Sequence, residues 1–205
     1  MMTRLATSFA ALCLCSIVQA QNLRIWQDGS YTLVPAALAG EMTAADGSIL
    51  FAGTPYATDK IDSITVSHEK CVVVTWGNTA TVYVPESISG VTCKVNGTNV
   101  SITSTNTSDE IEYFLQGSST NGSLLFNGEY KCTFTLNNLN LESTATAPID
   151  IECGKRIALQ LLPNTVSTLS DATGGDQKAA LYTKGHLEIA GAGTLNVTGR
   201  TKHAI

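Results

Sequence analysis

Charge is scarce in this chain, and so are aromatic rings and proline. Asp, Glu, Lys and Arg make up 14% of its 205 residues, Phe, Trp and Tyr 6%, and there are 5 prolines. The charge present leans acidic, a net −5, which argues against a nucleic-acid binder, whose mark is a basic patch or stripe. Catalytic signatures are missing as well: there is no G-x-S-x-G, H-E-x-x-H, P-loop or dinucleotide fingerprint. "SHEK" (67–70) matches S-x-x-K in letters, but it lies between strand-like runs, where no helix projects both side chains together. His68 stands alone, His186 and His203 have no nucleophile beside them, and acid pairs such as Asp109/Glu110 and Asp150/Glu152 arise in any chain of this size. Past the N-terminus no apolar run is long enough for a transmembrane segment.

The N-terminus itself has the layout of a secretory signal. Arg4 supplies the positive region, "LATSFAALCLCSIV" the apolar run, and Val18 and Ala20 the small residues of a cleavage site. Residues 1–20 are therefore set aside as a signal peptide cleaved after Ala20, with a secreted, periplasmic or cell-surface destination. "LCLC" is not a convincing lipobox. Removing Arg4 takes the net charge from −5 to −6, and four cysteines remain: Cys71, Cys93, Cys132 and Cys153. An even count outside the cytoplasm permits disulfides. Each Cys, however, sits in or beside an apolar strand-like run ("CVVV", "VTCKV", "KCTFT", "DIECG"). Buried thiols, behaving as small hydrophobes, are preferred to disulfides and metal ligation is placed below both.

What is abundant is Asn, Ser, Thr and Gly in a period-2 pattern, which points to an all-β fold with many turns. The best helix candidate is 34–45, "VPAALAGEMTAA", short and broken by Gly40. Strands are expected at "SYTLV", "SILFAG", "IDSITVS", "CVVVTW", "TATVYV", "VTCKVNG", "VSITST" and "EIEYFLQG", with turns at Asn96-Gly97 and Asn121-Gly122.

The second half repeats. "YKCTFTL", "KRIALQL" and "GHLEIAG" align so that Cys132 matches Ile157 and Leu187, Phe134 matches Leu159 and Ile189, and Leu136 matches Leu161. A second strand follows each (Leu139 and Leu141; Val166 and Leu169; Leu195 and Val197), then a third (Ile149 and Ile151; Leu181; Ile205). A unit of three short strands cannot bury its own apolar residues, whereas stacked copies share a core. Residues 110–205 are thus expected to form a parallel β-helix, preceded by a β-rich region or cap over 21–109. For 21–125 an antiparallel sandwich or barrel is an equal alternative. The last residues, "TKHAI", match 147–149 and 179–181, so the chain stops inside a coil. Continuation past Ile205, or association through that uncapped edge, is expected.

Outward positions alternate with the core positions. In the first strands they are Lys131, Thr133 and Thr135, then Arg156, Ala158 and Gln160, then His186, Glu188 and Ala190. Lys131, Arg156 and His186 fall in one column, flanked by Lys155 and Lys184. A stacked basic strip suits an acidic polysaccharide. Solvated strand surface, neutralised by Glu129, Glu152 and Glu188, is narrowly preferred. Tyr130 and Tyr182 are candidate platforms for sugar rings. The enlarged turn "TLSDATGGDQK" (168–178) carries Asp171 and Asp176, candidate Ca²⁺ ligands, although a plain solvated loop is the preferred reading. Asn-x-Ser/Thr sequons start at Asn96, Asn99, Asn106, Asn121 and Asn196.

"NGSLLFNGEYKCTFTLNNLNL", "APIDIECGKRIALQL", "TVSTLSD", "ALYTKGHLEIAGAGTLNVTG" and "TKHAI" together resemble bacterial carbohydrate-binding domain proteins of the right-handed parallel β-helix type. The leading "LRIWQDGSYTLVP" resembles an N-terminal region of secreted and surface proteins from Bacteroidetes-like bacteria. The resemblance implies a non-catalytic, pectate-lyase-shaped protein that binds acidic pectic or cellulosic chains, with calcium on the helix. It maps "GKRI" and "KGH" onto Gly154–Ile157 and Lys184–His186. A pectate-lyase-like enzyme and a structural or adhesive surface protein are the alternatives.

Overall fold

The computed structural model describes residues 22–39, 42–51, 53–67 and 71–205. The expected signal segment, and His68, Glu69 and Lys70 of "SHEK", lie outside the described residues. The N-terminal part is antiparallel. β1 (Asn22–Gln27) and β2 (Ser30–Pro35) form a hairpin through Asp28-Gly29, both with positive φ, the turn whose twist suits paired strands. A single helical turn, α1 (Ala36–Ala39), follows. β3 (Thr43–Ala45) and β4 (Ser48–Phe51) form a second hairpin at Asp46-Gly47, extended by β5 (Thr54–Ala57). β6 (Ser63–Ser67) returns to pair with β1. The helix expected over 34–45 is thus cut to four residues. Pro35 still belongs to β2, and the Asp46-Gly47 turn draws 43–45 into a strand.

From Cys71 onward the pairing is largely parallel. β7 (Cys71–Trp76) carries a short antiparallel partner, β8 (Thr81–Tyr83), and β9 (Val91–Asn96) folds back on β10 (Asn99–Ser104). β11 (Ile111–Ser119), β12 (Ser123–Gly128), β13 (Cys132–Glu142) and β14 (Ile149–Glu152) follow. The chain ends with β15 (Ile157–Leu161), β16 (Val166–Ser170), β17 (Leu181–Thr183), β18 (Leu187–Gly191) and β19 (Thr194–Thr198).

Three parallel ladders result. The first runs β7–β11–β13–β15–β18. The second joins the ends of β11 and β13 to β16 and β19. The third runs β10–β12–β14–β17 and is continued by a parallel bridge from Ala179 to His203. The expected matches of Cys132 with Ile157 and Leu187, and of Ile149 with Leu181, are the observed register. One match is corrected. Val166 pairs with Thr194 and is 51% exposed, while Ser167, 1% exposed, faces inward opposite Leu195. A single-residue slip reverses a strand's faces, and Ser167 is tolerated inside because its Oγ accepts the Leu139 N–H at 3.1 Å.

The corners between first and second strands are tight. Gly117 (φ 94) and Gly191 (φ 105) lie at such bends, two register positions apart, where a Cβ would overlap the carbonyl oxygens of Trp76 and Leu161 in the neighbouring level. Only glycine accepts both that φ and that approach. Inside the three ladders lies one apolar core, with Tyr113, Phe126 and Phe134 in mutual ring contact at 4.9–5.2 Å. Outward-facing Cys71, Val73 and Phe114 are covered by the N-terminal hairpin through Leu33 and Tyr31. The Gln116 side chain binds that hairpin as a strand would, accepting the Leu33 N–H (3.3 Å) and donating to its carbonyl (2.8 Å), while Asn137 donates to Tyr31 O.

Candidate functional site

Two outward faces carry polar chemistry. On the first ladder, Lys131, Arg156 and His186 do form one column, because the residues that follow them, Cys132, Ile157 and Leu187, are paired. The same register places Glu110 at the head of that column, just before Ile111. Glu110 lies 3.1 Å from Lys131 Nζ and 2.6 Å from Arg156 Nη2, and Glu188 lies 3.4 Å from Arg156 and 3.6 Å from His186. Burial works against ionisation of Glu110, but hydrogen bonds from Lys131 and Arg156 outweigh it and hold its carboxyl below the usual range. The strip is therefore not bare positive charge: Lys131 and Arg156 share Glu110, and Glu188 meets Arg156 from the other side. Of the expected neutralising partners, Glu188 serves here and Glu152 pairs with Lys184 at 3.7 Å. Glu110 takes the place foreseen for Glu129.

The other named residues scatter. Lys155 is exposed beside the column. Tyr130 lies under the Lys131 ammonium at 5.9 Å. Tyr182 is on the third ladder, opposite Asp150, so it shares no face with Lys131. Asp171 and Asp176 face different partners, Asp176 lying toward Asp150. Asp171 is 2% exposed, and its carboxylate accepts the backbone N–H groups of Arg200 (2.5 Å) and Thr201 (3.1 Å). Burial opposes its ionisation, yet these donors prevail and its pKa is lowered. A carboxylate so enclosed does not fit as a calcium ligand. Among the described residues no three Asp, Glu, His or Cys side chains form a metal-sized group.

The second ladder bears a groove of about 880 Å³. Its register stacks Ser118, Asn140, Thr168 and Asn196 in one outward column, and Glu142, Ser170 and Thr198 in the next. Gly77, Asn78 and Thr98 line one end of the groove and Arg200 the other. Five levels are spanned, and four steps at about 4.8 Å make a run of roughly 19 Å. The walls are braced locally: Thr98 Oγ donates to Asn121 O (2.5 Å), Thr144 Oγ to Asn121 Oδ1, and Arg200 Nη1 to Ser170 Oγ (3.0 Å) and Asp171 O (2.8 Å). Arg200 also faces Glu142 at 3.5 Å. Hydroxyls and amides at this spacing both donate and accept, and no aromatic ring lines the groove. Sequence reasoning missed this face by tracing outward positions along the first strands alone. The alternation that placed Leu139 and Leu141 inside already put Asn140 outside.

A family model for carbohydrate-binding domain-containing proteins matches residues 96–205. Among solved structures, a polysaccharide lyase-like protein from C. thermocellum, determined as a gadolinium derivative, is similar with a TM-score of 0.51 at 20% identity. The match covers 64% of this chain and 53% of that one, so the chain spans about half the length of its structural relative. At that identity the likeness is one of fold. No curated protein matches the chain.

Proposed function

The chain belongs to the family of carbohydrate-binding domain-containing proteins, and from that premise we propose that it is a non-catalytic polysaccharide-binding protein acting outside the cell. Its ligand lies along the second-ladder groove, and the whole parallel stack is read as one right-handed β-helix. The observation that carries this is the groove's composition and direction. Short hydroxyl and amide side chains repeat at one level per strand along the stack, so a linear chain of sugars meets the same kind of partner at each step. Each direct hydrogen bond adds a modest net stabilisation, and affinity comes from their number.

Affinity electrophoresis against cellulosic and pectic polysaccharides is the direct test. Binding by the native protein and a loss of roughly tenfold in the Asn140→Ala/Thr168→Ala double variant are expected, since two lost hydrogen bonds together amount to about 1.4 kcal/mol or more. Unchanged retardation in a folded double variant overturns the groove assignment. The lyase alternative has the name of the structural neighbour behind it. In this chain Lys131 and Arg156 are held by Glu110 instead of standing free as bases. Incubation with polygalacturonate decides it, because unsaturated product absorbs in the ultraviolet and its appearance sinks the non-catalytic reading.

A further inference from the structure

Among the described residues that line the second-ladder groove, only Glu142 and Arg200 carry charge, and they face each other. Glu142 lies in the third of the five levels, opposite Ser170 in the fourth. Arg200 follows β19 in the fifth and reaches back along the groove. Its Nη1 donates to Ser170 Oγ at 3.0 Å and to Asp171 O at 2.8 Å, and it stands 3.5 Å from Glu142 Oε1. Both side chains are close to half exposed, so they stand where a ligand would lie and not in the core beneath it.

This pair decides what charge the groove can take. The hydroxyls and amides of the walls meet a neutral sugar hydroxyl equally well as donors or acceptors. A uronate chain brings a carboxylate on each sugar, and taking an anion out of water is costly unless a cation replaces the water. Arg200 is the one cation among the described lining residues, and Glu142 already engages it. Glu142 is tethered to the same fold, so an incoming carboxylate must displace a competitor that is always at hand. Glu142 also repels like charge along the ligand's path, and the chain's net −5 adds a weaker repulsion of the same sign.

We propose that Glu142 is a specificity-determining residue that closes this groove to acidic polysaccharides, so that the ligand class is the neutral glycan chain. The proposal rests on the carbohydrate reading above and concerns which chain the same groove accepts. Isothermal titration of the full chain with two matched pairs tests it: hydroxyethyl against carboxymethyl cellulose, and methyl-esterified pectin against polygalacturonate. Each pair keeps its backbone and changes its charge. The neutral member should bind roughly tenfold more tightly, and the gap should narrow as salt screens the carboxylates. Glu142→Gln, which keeps shape and frees Arg200 for a carboxylate, should bring the two members to within about threefold by tightening the charged one. Adding Arg200→Gln should restore the preference, because the freed cation is then gone. A charged member bound as tightly as its neutral counterpart, or a Glu142→Gln protein that keeps the native preference, overturns the proposal. The groove itself survives that result if Asn140→Ala/Thr168→Ala weakens both members of a pair. Binding untouched by that double variant, or no binding of either pair, overturns the groove assignment and this proposal with it.

Discussion

At the scale of single residues, buried polar groups set the pH and redox behaviour. Asp171 is the main case. Removing its carboxylate strands the N–H groups of Arg200 and Thr201, and Asp171→Ala should cost about 2 kcal/mol in urea unfolding. Because its folded pKa is depressed, its contribution is complete above the ordinary carboxylate value. It disappears as pH falls through the folded value, so acid unfolding of the native protein should be steeper below about pH 4 than that of Asp171→Ala. The four thiols among the described residues are free, with Cys71, Cys132 and Cys153 buried. Burial, helped by Glu112, pushes Cys71 up to about 12 and burial pushes Cys132 up as well. These three should resist alkylation by iodoacetamide in native buffer and react once unfolded, since the thiolate is the nucleophile. Half-exposed Cys93 should react first.

At the scale of elements, the corners and the outward columns separate stability from binding. Gly117→Ala must introduce a Cβ at positive φ against the Trp76 carbonyl and should lower stability by well over ~1 kcal/mol in a thermal melt. The first-ladder column should behave otherwise. Its side chains are about a third to three quarters exposed and lie against Glu110 and Glu188, and exposed ion pairs contribute little. Lys131→Gln with Arg156→Gln should therefore leave polysaccharide affinity within about twofold of native, measured beside Asn140→Ala/Thr168→Ala. A tenfold loss would restore the basic strip as a binding surface. Glu110 was legible by extending the repeat one level back. It was overlooked because the alignment began at Lys131.

At the scale of the whole molecule, the N-terminal hairpins are fastened to the stack by side-chain amides and one apolar patch. Gln116 holds both polar groups of Leu33, Asn137 holds Tyr31, and Asn164 donates to Asp28 O at 3.0 Å. Gln116→Leu leaves buried backbone groups of β2 unmatched, and amide hydrogen exchange should rise across residues 22–35 while β13 and β15 keep their protection. Uniformly faster exchange across the stack would mean that the hairpin is part of one cooperative unit.

The sequence alone determined the all-β class and, except at β16, where Val166 turns outward, the strand register of the last hundred residues and the alternation of inward and outward positions. These follow from period-2 polarity, which depends only on the local pleat and on what must leave water. It also placed the cation column correctly. Tertiary structure decided which outward columns lie in concave surfaces and which charges meet. Concavity depends on corner angles and turn lengths, such as the enlarged turn that carries Asp176 toward Asp150. Pairing depends on distances across levels 20 or more residues apart in the chain, as between Glu110 and Arg156. Neither quantity is written in local periodicity, so the groove was visible only once the coils were stacked.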